Sequence, residues 1–322
     1  MDALWIMFRN VIVFVALALP GFILVKSKTL KQEQSGALSK LLMYVGMPFL
    51  VLSSIINNIT FDTDLLFILA MAVVIGFVYT LAMFFVSKPL TFMEQNEKTR
   101  GMMRFSTVFT NNGFLGIPLA LAVFGAGSMV LMVVIVINII TNILMYTLGV
   151  SLISGDKKTI KWKNVLLNPV LIAFIVGIIL NLLKIKEYVP EVATYSTHFS
   201  NLVTPISMMI LGVKMGTIKA SDIFKSWKTY YVSVVKLILC PITIVAVLFI
   251  ANMFCANELF NIDIIVGVFI AFALPTAGLA STFSDNYNGD TKNAVAFTLG
   301  STILSIMSIP ILYWLLCLVL GV

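Results

Sequence analysis

The sequence predicts an all-α membrane protein of ten transmembrane helices, arranged as two inverted five-helix halves with a broken, crossing helix in each. Three observations carry this. Of 322 residues 60% are hydrophobic and 11% charged, and the mean hydropathy is +1.05. An average soluble domain is about 25% charged, so a water-facing surface is excluded, and with it a soluble enzyme, a disordered chain and a secreted disulfide scaffold. The second observation is a set of ten apolar runs, each near the roughly 20 residues that a helix needs to cross a bilayer. The third is a pair of prolines repeated at one spacing: Pro48 and Pro205 lie 157 residues apart, as do Pro118 and Pro275.

The spans are expected at 4–25, 37–57, 65–87, 102–124, 128–152, 165–184, 195–217, 229–252, 263–284 and 293–320. The runs are continuous and do not alternate at period two, which selects helices over a barrel. Span 1 lacks the basic leader of a cleavable signal, since Asp2 comes early and Arg9 interrupts the apolar run. It is expected to stay in the mature protein. The polar stretches 88–101 and 153–164 are helix connections, too short for a soluble domain.

Charge sets the orientation. Seventeen of the 21 Lys and Arg residues fall in or beside the odd-numbered loops: Lys26, Lys28, Lys31 and Lys40; Lys88, Lys98, Arg100 and Arg104; Lys157, Lys158, Lys161 and Lys163; Lys214, Lys219, Lys225 and Lys228; and Lys292. Only Lys184 and Lys186 occupy an even loop, and Arg9 and Lys236 lie within spans. The positive-inside rule then puts the odd loops in the cytoplasm and both termini outside the plasma (inner) membrane. The net charge of +7 is spent on topology, and no nucleic-acid partner is expected. Cys240, Cys255 and Cys317 form no metal or redox spacing, so neither a cofactor nor a metal is expected.

A shift of 157 residues moves span 1 onto span 6, and an odd number of spans per copy reverses its direction. The expected units are 1–155 and 156–322. Inverted repeats with interrupted helices mark secondary transporters, with the site near the interruptions. Span 4 carries Ser106-Thr107-Val108-Phe109-Thr110-Asn111-Asn112-Gly113-Phe114-Leu115-Gly116-Ile117-Pro118, and span 9 carries Ala273-Leu274-Pro275-Thr276-Ala277-Gly278. Proline removes a helical hydrogen bond, glycine permits non-helical backbone, and backbone freed at membrane depth must line a cavity or be buried in protein. The unwound helices would start half-helices near Leu115–Pro118 and Thr276–Gly278, whose N-termini favour an anion such as a carboxylate. Asn111 and Asn112 would donate to the same oxygens.

These residues resemble the auxin efflux carrier family, which includes plant PIN-FORMED proteins and bacterial malate-permease-like members. The likeness spans nearly the whole chain. Asn111 falls on the family's crossover asparagine, Gly116-Ile117-Pro118 on its GIP, and Ala273-Leu274-Pro275 with Phe283 and Tyr287-Asn288 on its second crossover. Met209-Ile210-Leu211-Gly212 and Ser308-Ile309-Pro310 also fit. The resemblance implies a scaffold of spans 1, 2, 6 and 7, often a homodimer contact. It implies a transport domain of spans 3–5 and 8–10, and elevator-type movement of an organic anion. Loop 5–6 is short, without the regulatory loop of the long plant forms, which favours a small carboxylate over auxin.

The remaining candidates are polar residues inside spans. Lys236 in span 8 reads either as a fixed charge beside the crossover or as a lysine reaching the interface. Asn138, Thr141 and Asn142 share one face of span 5 and either line the substrate path or join helices. Arg9 is expected to anchor at the interface, His198 to be structural or solvated, and Asp285, Asn286 and Asp290 to cap and turn. The substrate site is thus expected to draw on Asn111, Asn112, Gly113, Gly116, Pro118, Pro275, Thr276, Ala277, Asn138, Asn142 and Lys236. Deep carboxylates, as in a cation antiporter, are missing from the spans, and no catalytic constellation suggests an enzyme. The competing class is a membrane sensor or binding protein that kept a transporter-like fold without transport.

Overall fold

A computed structural model describes residues 2–31, 34–58, 63–155, 167–217, 223, 225–254 and 260–321. Lys157, Lys158, Lys161, Lys163, Lys219, Cys255 and the expected boundary at 155/156 lie wholly or partly outside them. The described residues are helical apart from turns and one isolated β-bridge. The elements are α1 (Asp2–Lys26), α2 (35–58), α3 (Thr63–Leu90), α4 (Glu97–Val108), α5 (112–124), α6 (129–154), α7 (Pro169–Leu182), the short α8 (Ile185–Tyr188), α9 (Pro190–Ser200), α10 (Val203–Thr217), α11 (227–254), α12 (Ile262–Phe272), α13 (Ala280–Asn286) and α14 (Thr291–Leu320). Five of these, α2, α3, α6, α11 and α14, are long and apolar enough to cross a membrane.

Hydrophobic side chains cover the outside as well as the core. Val74, Phe77 and Val78 on α3 and Ile242, Val247 and Ile250 on α11 are exposed, a surface that suits hydrocarbon and not water. α6 is the most buried of the five long helices. It lies between α3 and α12, and every side chain from Leu131 to Ile137 is buried. Around this centre α1 packs on α10, α2 on α7 and α9, and α11 on α12 and α14.

Four of the helices contain a π-helical turn, at Leu42–Gly46, Asn112–Gly116, Met145–Gly149 and Val235–Leu239. Three of these end two residues before a proline: Pro48, Pro118 and Pro241. The cause is steric. A proline ring presses on the carbonyl four residues back, here those of Tyr44, Phe114 and Leu237, and a wider turn relieves the clash. The prolines inside α2, α5 and α11 therefore widen the helix without ending it.

At the lysine-rich end, the connection between α3 and α4 is tied to the start of α11 by an ion pair between Glu94 and Lys228. Burial opposes ionisation of Glu94, but hydrogen bonds from the Lys228 ammonium and the Asn96 N–H outweigh it and hold the carboxyl below its usual range. A carboxyl depressed in the folded state adds stability above its unfolded pKa and loses it as pH falls through the folded value. Glu94→Gln is therefore expected to cost about 1 kcal/mol at pH 7. Melting curves of the two proteins should begin to converge as pH falls below about 4; a pH-independent gap would assign the loss to packing.

Candidate functional site

Two of the expected spans are interrupted. Span 4 is α4 and α5, separated by Phe109–Asn111, and span 9 is α12 and α13, separated by 273–279. The interruptions meet. Thr110 and Thr276 form an antiparallel bridge; Asn111 N donates to Pro275 O at 2.9 Å and Ala277 N to Phe109 O at 3.0 Å. The half-helices begin at Asn112 and Ala280, and not near Leu115–Pro118 and Thr276–Gly278. Pro118 thus lies inside α5, and Pro275 lies in the extended pairing.

Helix ends leave their last carbonyls unpaired, and at this depth each needs a donor. At the end of α4 each has one. Phe105 O takes the Phe109 N–H. Ser106 O takes the Thr276 hydroxyl at 3.1 Å. Thr107 O and Val108 O take the Lys236 ammonium at 3.2 and 3.1 Å. Lys236 is 1% exposed. Its charge meets the negative end of α4, and it lines none of the cavities described below. Of the two readings of this residue, the geometry fits the fixed charge beside the crossover and not a lysine reaching the interface. The π turn of α11 carries Lys236 toward α4.

Asn111 behaves differently. Its carbonyl accepts from Leu115 N and Gly116 N, both at 3.1 Å, as the residue before a helix should. Its side chain does not cap α5, and its buried Oδ1 has no partner. Asn111 instead lines a small cavity of about 50 Å³, whose wall also includes Gly113, Asn138, Asn142, Asn168 and Ala277 set among apolar side chains such as Met43, Phe114 and Leu279. Asn142 Nδ2 donates to Asn138 Oδ1 at 3.1 Å, so the pair bonds along α6 and not to another helix. Thr141 turns back to its own helix, donating to Asn138 O. Asn112 and Thr276 are buried: Asn112 Nδ2 donates to Thr110 Oγ1, leaving Oδ1 without a partner, and Thr276 N donates to Ser301 Oγ on α14. Gly116 packs under Leu274. Of the eleven expected residues the structure therefore brings Asn111, Gly113, Asn138, Asn142 and Ala277 to one cavity. Asn112, Gly116, Pro118, Pro275, Thr276 and Lys236 stand off its wall: Pro275 and Thr276 form the break, Lys236 bonds the end of α4, and Asn112, Gly116 and Pro118 lie in α5.

Two residues near the break escaped the sequence reading. Asn168 caps α7, accepting from Val170 N at 2.9 Å, and lines the cavity as well; an Asn-Pro pair at a helix start was the available signal. Lys214 was counted among the loop charges, but its ammonium donates to Gly278 O at 2.6 Å, in the second break. It separates a vestibule of about 440 Å³ from a second small cavity of about 20 Å³ beside Asn111. Its side chain reaches back from the end of α10, which hydropathy cannot reveal. His198 is exposed, and Asp290 caps α14 through Asn293 N.

A family model described as "Membrane transport protein" matches residues 6–164 and 158–313. The chain belongs to this family. The auxin efflux carrier resemblance is thus shown across both halves. An uncharacterized transporter of Methanocaldococcus jannaschii is 27% identical over 316 residues, covering 95% of this chain and 97% of that protein. An uncharacterized transporter of Methanothermobacter thermautotrophicus is 23% identical over 312 residues, covering 94% and 96%.

Proposed function

We propose that this chain is a secondary transporter of small organic anions, malate-like or auxin-like carboxylates, acting by elevator-type alternating access in the plasma membrane. The carrying observation is the cavity at the paired breaks. Its wall has amides and the N-terminal end of α5 but no carboxylate among the described residues, a donor set for an anion. Half a turn of the Asn111 amide presents Nδ2 to it.

One pair of contacts supports a ten-span, five-plus-five reading with units 1–155 and 156–322. Packing of α1 on α10 and of α2 on α7 are interchanged when span 1 is exchanged for span 6 and span 2 for span 7. On this reading spans 1, 2, 6 and 7 are the scaffold and the natural dimer contact, the remainder moves, and both termini lie outside.

The test is uptake of labelled malate, succinate, lactate and indole-3-acetate into proteoliposomes, together with acid-induced shifts in melting temperature. Asn111→Ala should weaken the best acid by about tenfold, the loss of one charge-assisted hydrogen bond, with little change in unliganded melting. Neither uptake nor binding across the panel would sink the transport reading. Binding without uptake would favour the sensor class.

A further inference from the structure

We propose that Lys214 is a cationic latch that receives the substrate carboxylate, exchanging its bond to Gly278 O for the anion. This rests on the carboxylate-transport reading. Lys214 extends from α10, in the proposed scaffold, to the second break, in the proposed moving domain. Its ammonium lines the vestibule on one side and, on the other, the small cavity shared with Asn111, Gly278 and Thr298. A solute passing from vestibule to break meets this group.

The bonding of Lys214 is incomplete for a group with three donors. The one acceptor found for it is a neutral carbonyl, and none of the ion pairs among the described residues includes it. A half-buried cation without a counter-charge is under-satisfied. A carboxylate arriving beside Asn111 supplies that charge and outbids the carbonyl, because charge-assisted hydrogen bonds are about twice as strong as neutral ones. The exchange releases the hydrogen bond that ties α10 to the second break. Binding of the anion and freedom of the two bodies to slide are thereby coupled through one side chain. Asp285 shares the vestibule, but it accepts from the Thr291 hydroxyl at 2.6 Å and forms no ion pair with Lys214.

Binding of the best acid of the panel to the full chain in detergent tests this. Lys214→Gln keeps a donor for Gly278 O and removes the charge; it should weaken that acid by about tenfold or more, and Lys214→Arg should recover most of the loss. In the unsubstituted chain, acylation of Lys214 by a water-soluble reagent, read by mass spectrometry, should slow severalfold at saturating acid, which tests the latch even if the variants fold poorly. Unchanged affinity in Lys214→Gln, no recovery in a folded Lys214→Arg, or labelling indifferent to the acid would overturn the latch while leaving the transport reading standing. A wild-type chain that neither binds nor takes up any acid would overturn both.

Discussion

Gly212→Val is expected to abolish recovery of folded protein. A Cβ at Gly212 on α10 would lie 1.9 Å from Ala18 O and 2.9 Å from Phe22 N on α1. The reciprocal position is as tight, since a Cβ at Gly21 would lie 2.1 Å from Met209 O. The obstacles are backbone atoms on two helices, and no rotamer change relieves them. Glycine here serves close approach, as small residues do wherever membrane helices pack. Separating α1 from α10 by the width of a side chain would forfeit their contact along its length, a cost well above the roughly 1–3 kcal/mol of ordinary overpacking. Size-exclusion profiles and melting in detergent would show it. Gly36 is the contrast, since nothing lies within 4 Å of an added Cβ. Gly36→Ala should stabilise its helix by about 0.5–1 kcal/mol. A well-folded Gly212→Val protein would mean that the α1–α10 packing is wrong.

Lys236→Met should abolish uptake and also lower the melting temperature, and the joint loss distinguishes it from Asn111→Ala. Removing the ammonium leaves Thr107 O and Val108 O without their nitrogen donor. Only the weak thiol contact from Cys240 to Thr107 O, at 3.8 Å, remains. Each buried carbonyl left unpaired costs about 1–3 kcal/mol, partly offset because an ammonium no longer has to be desolvated. The end of α4 would then be free to rewind or shift, and with it the bridge that sets the cavity. Normal melting with lost uptake would instead return Lys236 to direct work on the substrate.

The break itself was visible in the residue order. Gly and Pro in the middle of an apolar run, at two places, with Asn beside them in span 4, marked the interruptions to within a few residues. Their ends could not. Pro118 suggested a helix start, but proline is also tolerated inside a helix that widens, and a π turn places the start of α5 at Asn112.

Hydropathy, lysine placement and misplaced Asn, Gly and Pro are each local, and they suffice for a helical membrane protein of this transport family with its polar residues gathered at two interruptions. The division of labour among those residues is not local. Asn111 and Lys236 are both polar groups in apolar runs, yet one faces a cavity without a partner and the other closes a helix end. Lys214 looked like a loop charge and reaches the second break. Which of these a residue becomes depends on the carbonyls that a helix more than a hundred residues away, or sixty in the case of Lys214, leaves unpaired. That is decided only when the helices pack.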